Sequence, residues 1–360
     1  MNRQVYTKIV GTGSYLPSCI ISNDYFRNYS FFDPATKKPF EKSNDEIIQK
    51  FKEITNISER RWISDELNNS DMAFLAVKDA CESAHIDPET LDFIIIAHNF
   101  GDVDPVSTRV DILPSLANKV KAKLNITNPA CFCHDLISGC PGWTQGMITA
   151  DAYIRSGMAK RGVVVGSDVL SRISDPHDRD SMIYADGAGA TIVEGVESNE
   201  PIGILSQSSR SDSVHYWNLL TNGKSINPKL RGNDQFIKMH GHKLYVYALN
   251  FVPGVVKESI EKAGLQLSDI KKVLIHQANE KMDEAILKNV FKLYHEKHIP
   301  KGIMPMTIEK LGNSSTATVP TLLDLILKGK LDGQEINEGD HIILCSVGAG
   351  MNINSIVYKA

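Results

Sequence analysis

The sequence predicts an α/β protein made of two similar halves. Three observations carry that expectation: the length of 360 residues, an alternation of apolar strand segments with helix-period segments, and an internal echo repeated in order. The strand segments are short and β-branched: KIVGTG (8–13), LDFIIIAH (91–98), GVVVGSD (162–168), KKVLIHQ (271–277) and HIILCSVG (341–348). They are apolar almost throughout, as strands covered on both faces are. Helix-period segments lie between them. DMAFLAVKDACESA (71–84) has Asp71 near its start; GWTQGMITADAYIRSG (142–157) and VPGVVKESIEKAG (252–264) end at Gly157 and Gly264, suited to C-caps. EKMDEAILKNVFKLYHEK (280–297) is a long helical stretch.

SAHIDPETLDFIIIAH (83–98) aligns without gaps on KAGLQLSDIKKVLIHQ (262–277), each reading as helix end, turn and buried strand. DGAGATIV (186–193) echoes VGAGMNIN (347–354) near the end of each half. Two echoes in the same order argue for duplication, with a split near 195–205 and halves of 1–198 and 199–360. Stretches 30–45, 103–112 and 295–304 read as surface insertions rich in Pro, charged and aromatic residues.

Hydrophobic content of 42% and charged content of 23% are ordinary for a globular chain with a large core. A net charge of −4 gives no global basic field for nucleic acid. No apolar run reaches the ~18 residues of a transmembrane span, and the N-terminus lacks a secretory h-region, so no membrane is expected. Six cysteines are too sparse for a disulfide scaffold, and reduced thiols in the cytoplasm are the expectation.

In DLISGCPGW (135–143), Cys140 sits where a strand turns into a helix, with Pro141 suited to its first turn. A thiol there meets the positive end of the helix dipole and unpaired N–H groups, which favour thiolate. Gly139 and Gly142 allow close approach of backbone or substrate. This is a constellation for acyl transfer through a thioester, although most free cysteines are structural. IHQAN (275–279) puts His276 at the end of a buried strand, and KLGNSSTATVP (310–320) puts Asn313 after a glycine and before small residues. Taken singly, a strand-end histidine reads as structural and Gly-Asn as a turn.

As a set, KIVGTGSYLP (8–17), DLISGCPGW, VVVGSDVLSRISDPHDRD (163–180), ADGAGAT (185–191), HQAN, LGNSSTAT and GAGM (348–351) resemble the β-ketoacyl-ACP synthase III family of thiolase-fold condensing enzymes. The resemblance implies a five-layered αβαβα core, a cytoplasmic homodimer and no metal or redox cofactor. It implies an acyl-Cys140 intermediate formed from acyl-CoA or acyl-ACP, followed by decarboxylative condensation with malonyl-ACP to a β-ketoacyl thioester. His276 and Asn313 would hydrogen-bond the malonyl thioester carbonyl, and the backbone N–H groups of Cys140 and Ala349 would form the oxyanion hole. Acyl carrier protein is the implied partner, with Lys281 and Lys288 as docking cations among Lys257, Lys262 and Lys292.

Departures from the family pattern point to a specialised member. Ile47 stands where a tryptophan usually stacks on adenine, Ser58 replaces an arginine, and Val347 replaces a phenylalanine beside the nucleophile. Arg172 matches the adenine-contacting arginine. A primer carried on acyl carrier protein rather than coenzyme A fits that pattern. Two other readings remain: a non-decarboxylating acyltransferase of secondary metabolism using the same acyl-Cys, and a non-catalytic metal-binding or scaffold protein. For the latter, Cys131, Cys133, His134 and Cys140 lack a second ligand pair at zinc spacing, and strand alternation would separate them. His98 reads as a satisfied core histidine.

Overall fold

The computed structural model describes residues 4–230, 232 and 234–360. Its first sheet is built from β1 (Gln4–Tyr15), β2 (Phe93–Ala97), β3 (Phe132–Leu136), β4 (Arg161–Val169) and β5 (Asp186–Ser198), in the order β1-β5-β4-β2-β3. The second uses β6 (Gly203–Ser211), β7 (Ile270–Ile275), β8 (His341–Gly348) and β9 (Asn352–Lys359), in the order β6-β9-β8-β7. Both sheets run antiparallel, antiparallel, parallel along that order. In the first, β3 adds one more parallel strand at the edge. The echoed strands, β2 and β7, hold the same place in each sheet.

Helices α1 (Asn44–Thr55), α2 (Asn69–Ala84), α3 (Leu116–Lys123), α4 (Gly142–Arg155), α5 (Gly241–Lys262), α6 (Glu280–Leu293) and α7 (Thr318–Leu327) complete the frame. α2 covers the outer face of the first sheet, α4 and α7 lie between the sheets, and α5 packs on the far face of the second with α6 against it. The result is the αβαβα layering of a thiolase-like fold. Strand alternation sorts the apolar residues into these layers. Ile94, Ile96, Val163 and Val165 face α2 and α3. Their neighbours Ile95 and Val164 face the middle layer, with Met147, Leu322, Ile342 and Leu344. Ile343 and Cys345 face α5 and α6.

The helix expected over 252–264 begins eleven residues earlier, at Gly241, and carries Pro253 inside it. The stretch expected over 280–297 stops at Leu293, and His295 adopts φ 61°. The HEKH segment (295–298) therefore lies beyond a helix end. The second echo is looser in shape than in sequence: DGAGA starts β5, whereas the aligned GAGM is the turn between β8 and β9. A short hairpin, Leu220–Gly223 paired with Phe236–Met239, had no sequence signal. Insertion 30–45 supplies one wall of the large cavity described below.

Glycines let the middle layer approach the first sheet. A Cβ on Gly166 would lie 2.1 Å from the Thr316 carbonyl oxygen. Gly166→Ala should lower stability by about 1–3 kcal/mol through overpacking, read as a lower urea midpoint with unchanged m-value.

Candidate active site

Cys140 lies two residues before α4, whose N-cap is Pro141. Gly139 takes φ +62°, and a side chain there would strike the backbone of Ala349 at 2.7 Å. Across the same gap, a Cβ on Gly348 would sit 2.7 Å from the Cys140 nitrogen. The strand-to-helix turn and the 348–350 turn are thus pressed backbone to backbone, which brings Cys140 and Ala349 together.

His276 follows the last residue of β7, and its N–H donates to the Cys345 carbonyl at 2.9 Å. The next residue, Gln277, is structural. The Gln277 side chain donates to the Pro305 carbonyl at 2.9 Å and accepts from the N–H groups of Thr307 and Ile308 at 2.8 and 3.1 Å. Asn279 caps α6. Gln277 therefore staples the segment that leads to Asn313. That residue follows Gly312 (φ +66°), and its backbone bonds on both sides to the first half: its N–H to the Ile183 carbonyl at 3.0 Å, its carbonyl to the Ala185 N–H at 2.9 Å.

Cys140, His276, Asn313, Val347 and Ala349 line one cavity of about 230 Å³. Its other walls are mostly apolar, from Phe100, Leu170, Ile237, Met239, Leu244 and Met282. The hairpin contributes Leu220, Thr221, Asn222, Ile237 and Met239. A second cavity of about 970 Å³ shares Met239, Leu244, Ala278, Met282 and Asn313 with the first. The small chamber therefore adjoins a wide funnel. Ile47 and residues of the 30–45 insertion line that funnel.

Electrostatics at the site are dominated by desolvation. Burial pushes the Cys140 thiol up to about 12, and Asp168 adds to the rise against a hydrogen bond from Ser315 that lowers it. Desolvation thus opposes the thiolate that the helix position favours, and the Ser315 hydrogen bond supports it. Burial also holds His276 down at about 4, so its imidazole is neutral at physiological pH. Its buried Nδ1 has no hydrogen-bond partner among the described residues. Asn313 Oδ1 accepts from the Ser315 N–H at 2.8 Å, which fixes the amide and leaves its N–H₂ as the remaining donor.

Three residues of this site carried no usable signal in the sequence. Ser315 Oγ donates to Cys140 Sγ at 3.3 Å. Asn99 and the buried Asp168 stand behind it, joined by bonds of 2.8 and 2.7 Å. Asp168 lay in view within GSD at the end of a predicted strand; nothing marked Asn99 beyond its place after another strand.

Other expected residues lie elsewhere. Arg172 lines neither cavity. Its guanidinium donates to the carbonyls of Val103, Ser64 and Leu67 at 2.7, 2.9 and 2.8 Å, tying loops together. Ser58 bonds Glu309. Lys281 and Lys288 are exposed, whereas Lys257 and Lys262 pair with Glu261 and Glu258 on their own helix. His98 is fully buried, accepts from the Gly101 N–H at 2.9 Å and faces Asp135 at 3.0 Å. Cys131 and Cys133 pack with the α2 layer, while His134 stacks beside Phe132 on the other face.

Family models match two segments that together span half of the chain. Residues 134–213 match 3-oxoacyl-[acyl-carrier-protein (ACP)] synthase III, and residues 260–360 match its C-terminal part. The chain belongs to this family. It is accordingly an acyl-transferring condensing enzyme. Among solved structures, 3-oxoacyl-[acyl-carrier-protein] synthase III from Aquifex aeolicus VF5 is 29% identical, with a TM-score of 0.79 over 98% of this chain and 100% of that one. The synthase III from Thermus thermophilus is 28% identical, with a TM-score of 0.79 over 98% and 99%. The priming β-ketosynthase of the R1128 polyketide pathway, at 22% identity and a TM-score of 0.79 over 99% and 97%, shares the fold.

The low His276 value has a measurable consequence. Between the unfolded value of 6.5 and the folded value of about 4, the unfolded chain binds a proton that the folded chain does not. This residue's contribution to stability should therefore fall as pH drops from 6.5 toward 4. Urea titrations across that range should show a smaller pH dependence in His276→Gln than in the parent.

Proposed function

We propose that this enzyme condenses an acyl primer with malonyl-ACP through an acyl-Cys140 intermediate. One observation carries the reading: Cys140, His276 and Asn313, from three distant loops, line a single chamber beside a wide funnel. In the first step Cys140 Sγ attacks the primer thioester. A carbon–sulfur bond forms, the old one breaks, and the carrier sulfur leaves with the thiol proton. In the second, the malonyl thioester carbonyl accepts hydrogen bonds from Asn313 and neutral His276. These stabilise the enolate that forms as CO₂ departs. The enolate carbon attacks the acyl-Cys140 carbonyl, whose oxyanion the N–H groups of Cys140 and Ala349 receive. The Cys140 sulfur leaves and regains a proton from water, releasing the β-ketoacyl thioester. Loss of CO₂ supplies the carbanion, so the step calls for no metal, redox cofactor or strong base.

A primer delivered on acyl carrier protein fits better than one on coenzyme A. Ile47 packs among Phe26, Phe31 and Met182 and offers no ring to an adenine. Arg172 is committed to three carbonyls and Ser58 to Glu309. The carrier would dock on Lys281 and Lys288, the first of which precedes Met282 at the junction of the two cavities. Division into halves at 198/199, a homodimer and a cytoplasmic setting complete the reading; six free cysteines, one of them the nucleophile, suit a reducing compartment.

Intact-protein mass spectrometry with acyl thioesters should show one acyl adduct, lost in Cys140→Ala. Asn313→Ala should still acylate but release CO₂ from malonyl-ACP about 10²–10³ times more slowly. Acylation lost with decarboxylation spared would reverse the roles. Lys281→Glu with Lys288→Glu should raise KM for malonyl-ACP severalfold and leave turnover of a small malonyl thioester unchanged.

A further inference from the structure

We propose that Asn99 and Ser315 are positioning residues that hold one hydroxyl proton on the sulfur of Cys140, in a relay anchored by Asp168. The inference rests on Cys140 being the nucleophile. Its basis is the direction of each hydrogen bond. Asp168 is an acceptor pair: Oδ1 takes the Asn99 N–H at 2.8 Å, and Oδ2 takes the Asn99 side-chain N–H at 2.7 Å and the Thr316 hydroxyl at 3.1 Å. The carboxylate therefore dictates that the Asn99 amide presents its nitrogen, since the reverse orientation would set oxygen against oxygen. The same nitrogen donates its second proton to Ser315 Oγ at 2.9 Å. Having accepted there, the Ser315 hydroxyl turns its own proton to Cys140 Sγ at 3.3 Å.

The donor is preorganised. Ser315 sits at φ +53°, a conformation that costs a non-glycine residue. Asn313 Oδ1 holds its N–H, and Asp168 holds the following residue, Thr316. The other titratable groups around the sulfur are His276 and Tyr184, which share its cavity. Burial holds the imidazole neutral and keeps the phenol protonated. That leaves the Ser315 hydroxyl as the side-chain donor bonded to the sulfur. No proton travels along the relay. A fixed O–H dipole stabilises negative charge on sulfur as the thioester is attacked, and again when the sulfur leaves.

The test measures alkylation of Cys140 by iodoacetamide across pH in the full chain, with the site confirmed by peptide mass spectrometry. Ser315→Ala and Ser315→Gly should each slow alkylation about tenfold at every pH from 7 to 9, the scale of a hydrogen bond to a charged group. Glycine tolerates the backbone angle, so that variant separates the lost hydroxyl from lost folding. Asn99→Asp should act like Ser315→Ala, because an acceptor at 99 draws the hydroxyl proton away from the sulfur. Asn99→Ala combined with Ser315→Ala should be no slower than Ser315→Ala alone. An unchanged alkylation rate in Ser315→Gly from pH 7 to 9, or losses that multiply in the double variant, would overturn the relay. Alkylation needs no substrate, so an enzyme whose Cys140 alkylates normally but takes no acyl group would instead overturn the proposed function.

Discussion

One buried carboxylate holds the two halves in working register. Asp168, at the end of β4, gathers Asn99 from the first half and Thr316 from the second. It is 1% exposed, so bonds left unmade there would be costly. Around it the 313–317 turn enters a cleft that only glycine leaves open: added atoms at Gly166 or Gly142 would lie 2.1 or 3.0 Å from Thr316. The Asn313 backbone is stitched to residues 183 and 185 in the same way. Cys140 comes from the first half and His276 and Asn313 from the second, so this seam decides whether the three share a chamber.

Desolvation then sets the chemical character of the chamber. Walls of Phe, Leu, Ile, Met and Val disfavour charge on every group they enclose. The histidine stays neutral and can act as a hydrogen-bond donor. The same burial disfavours charge on the Cys140 sulfur, and the Ser315 hydroxyl bonded to it opposes that effect.

The same walls set the form of the two cavities. Val347 and the 220–223/236–239 hairpin shape the inner chamber, while the 30–45 insertion builds the outer funnel. Positions that resemble a coenzyme A grip are used for internal packing instead, as Arg172 shows by tying three carbonyls. Family membership thus carries the chemistry, and the local packing of this chain shapes the two cavities.

By itself the sequence determined the layered α/β architecture, because strand and helix periods are local properties of the chain. It also singled out Cys140, His276 and Asn313 as a set, through the order of motifs that resemble one family, and the structure places all three on one cavity. The tertiary structure decided what depends on residues far apart in the chain. Asn99 touches Ser315 across 216 positions, and no spacing rule announces such a meeting. Arg172 was legible as an arginine in the right motif, yet its partners come from loops at 64, 67 and 103. The acidity of Cys140 also had to wait for the fold, since burial is a sum over neighbours that the local sequence does not list.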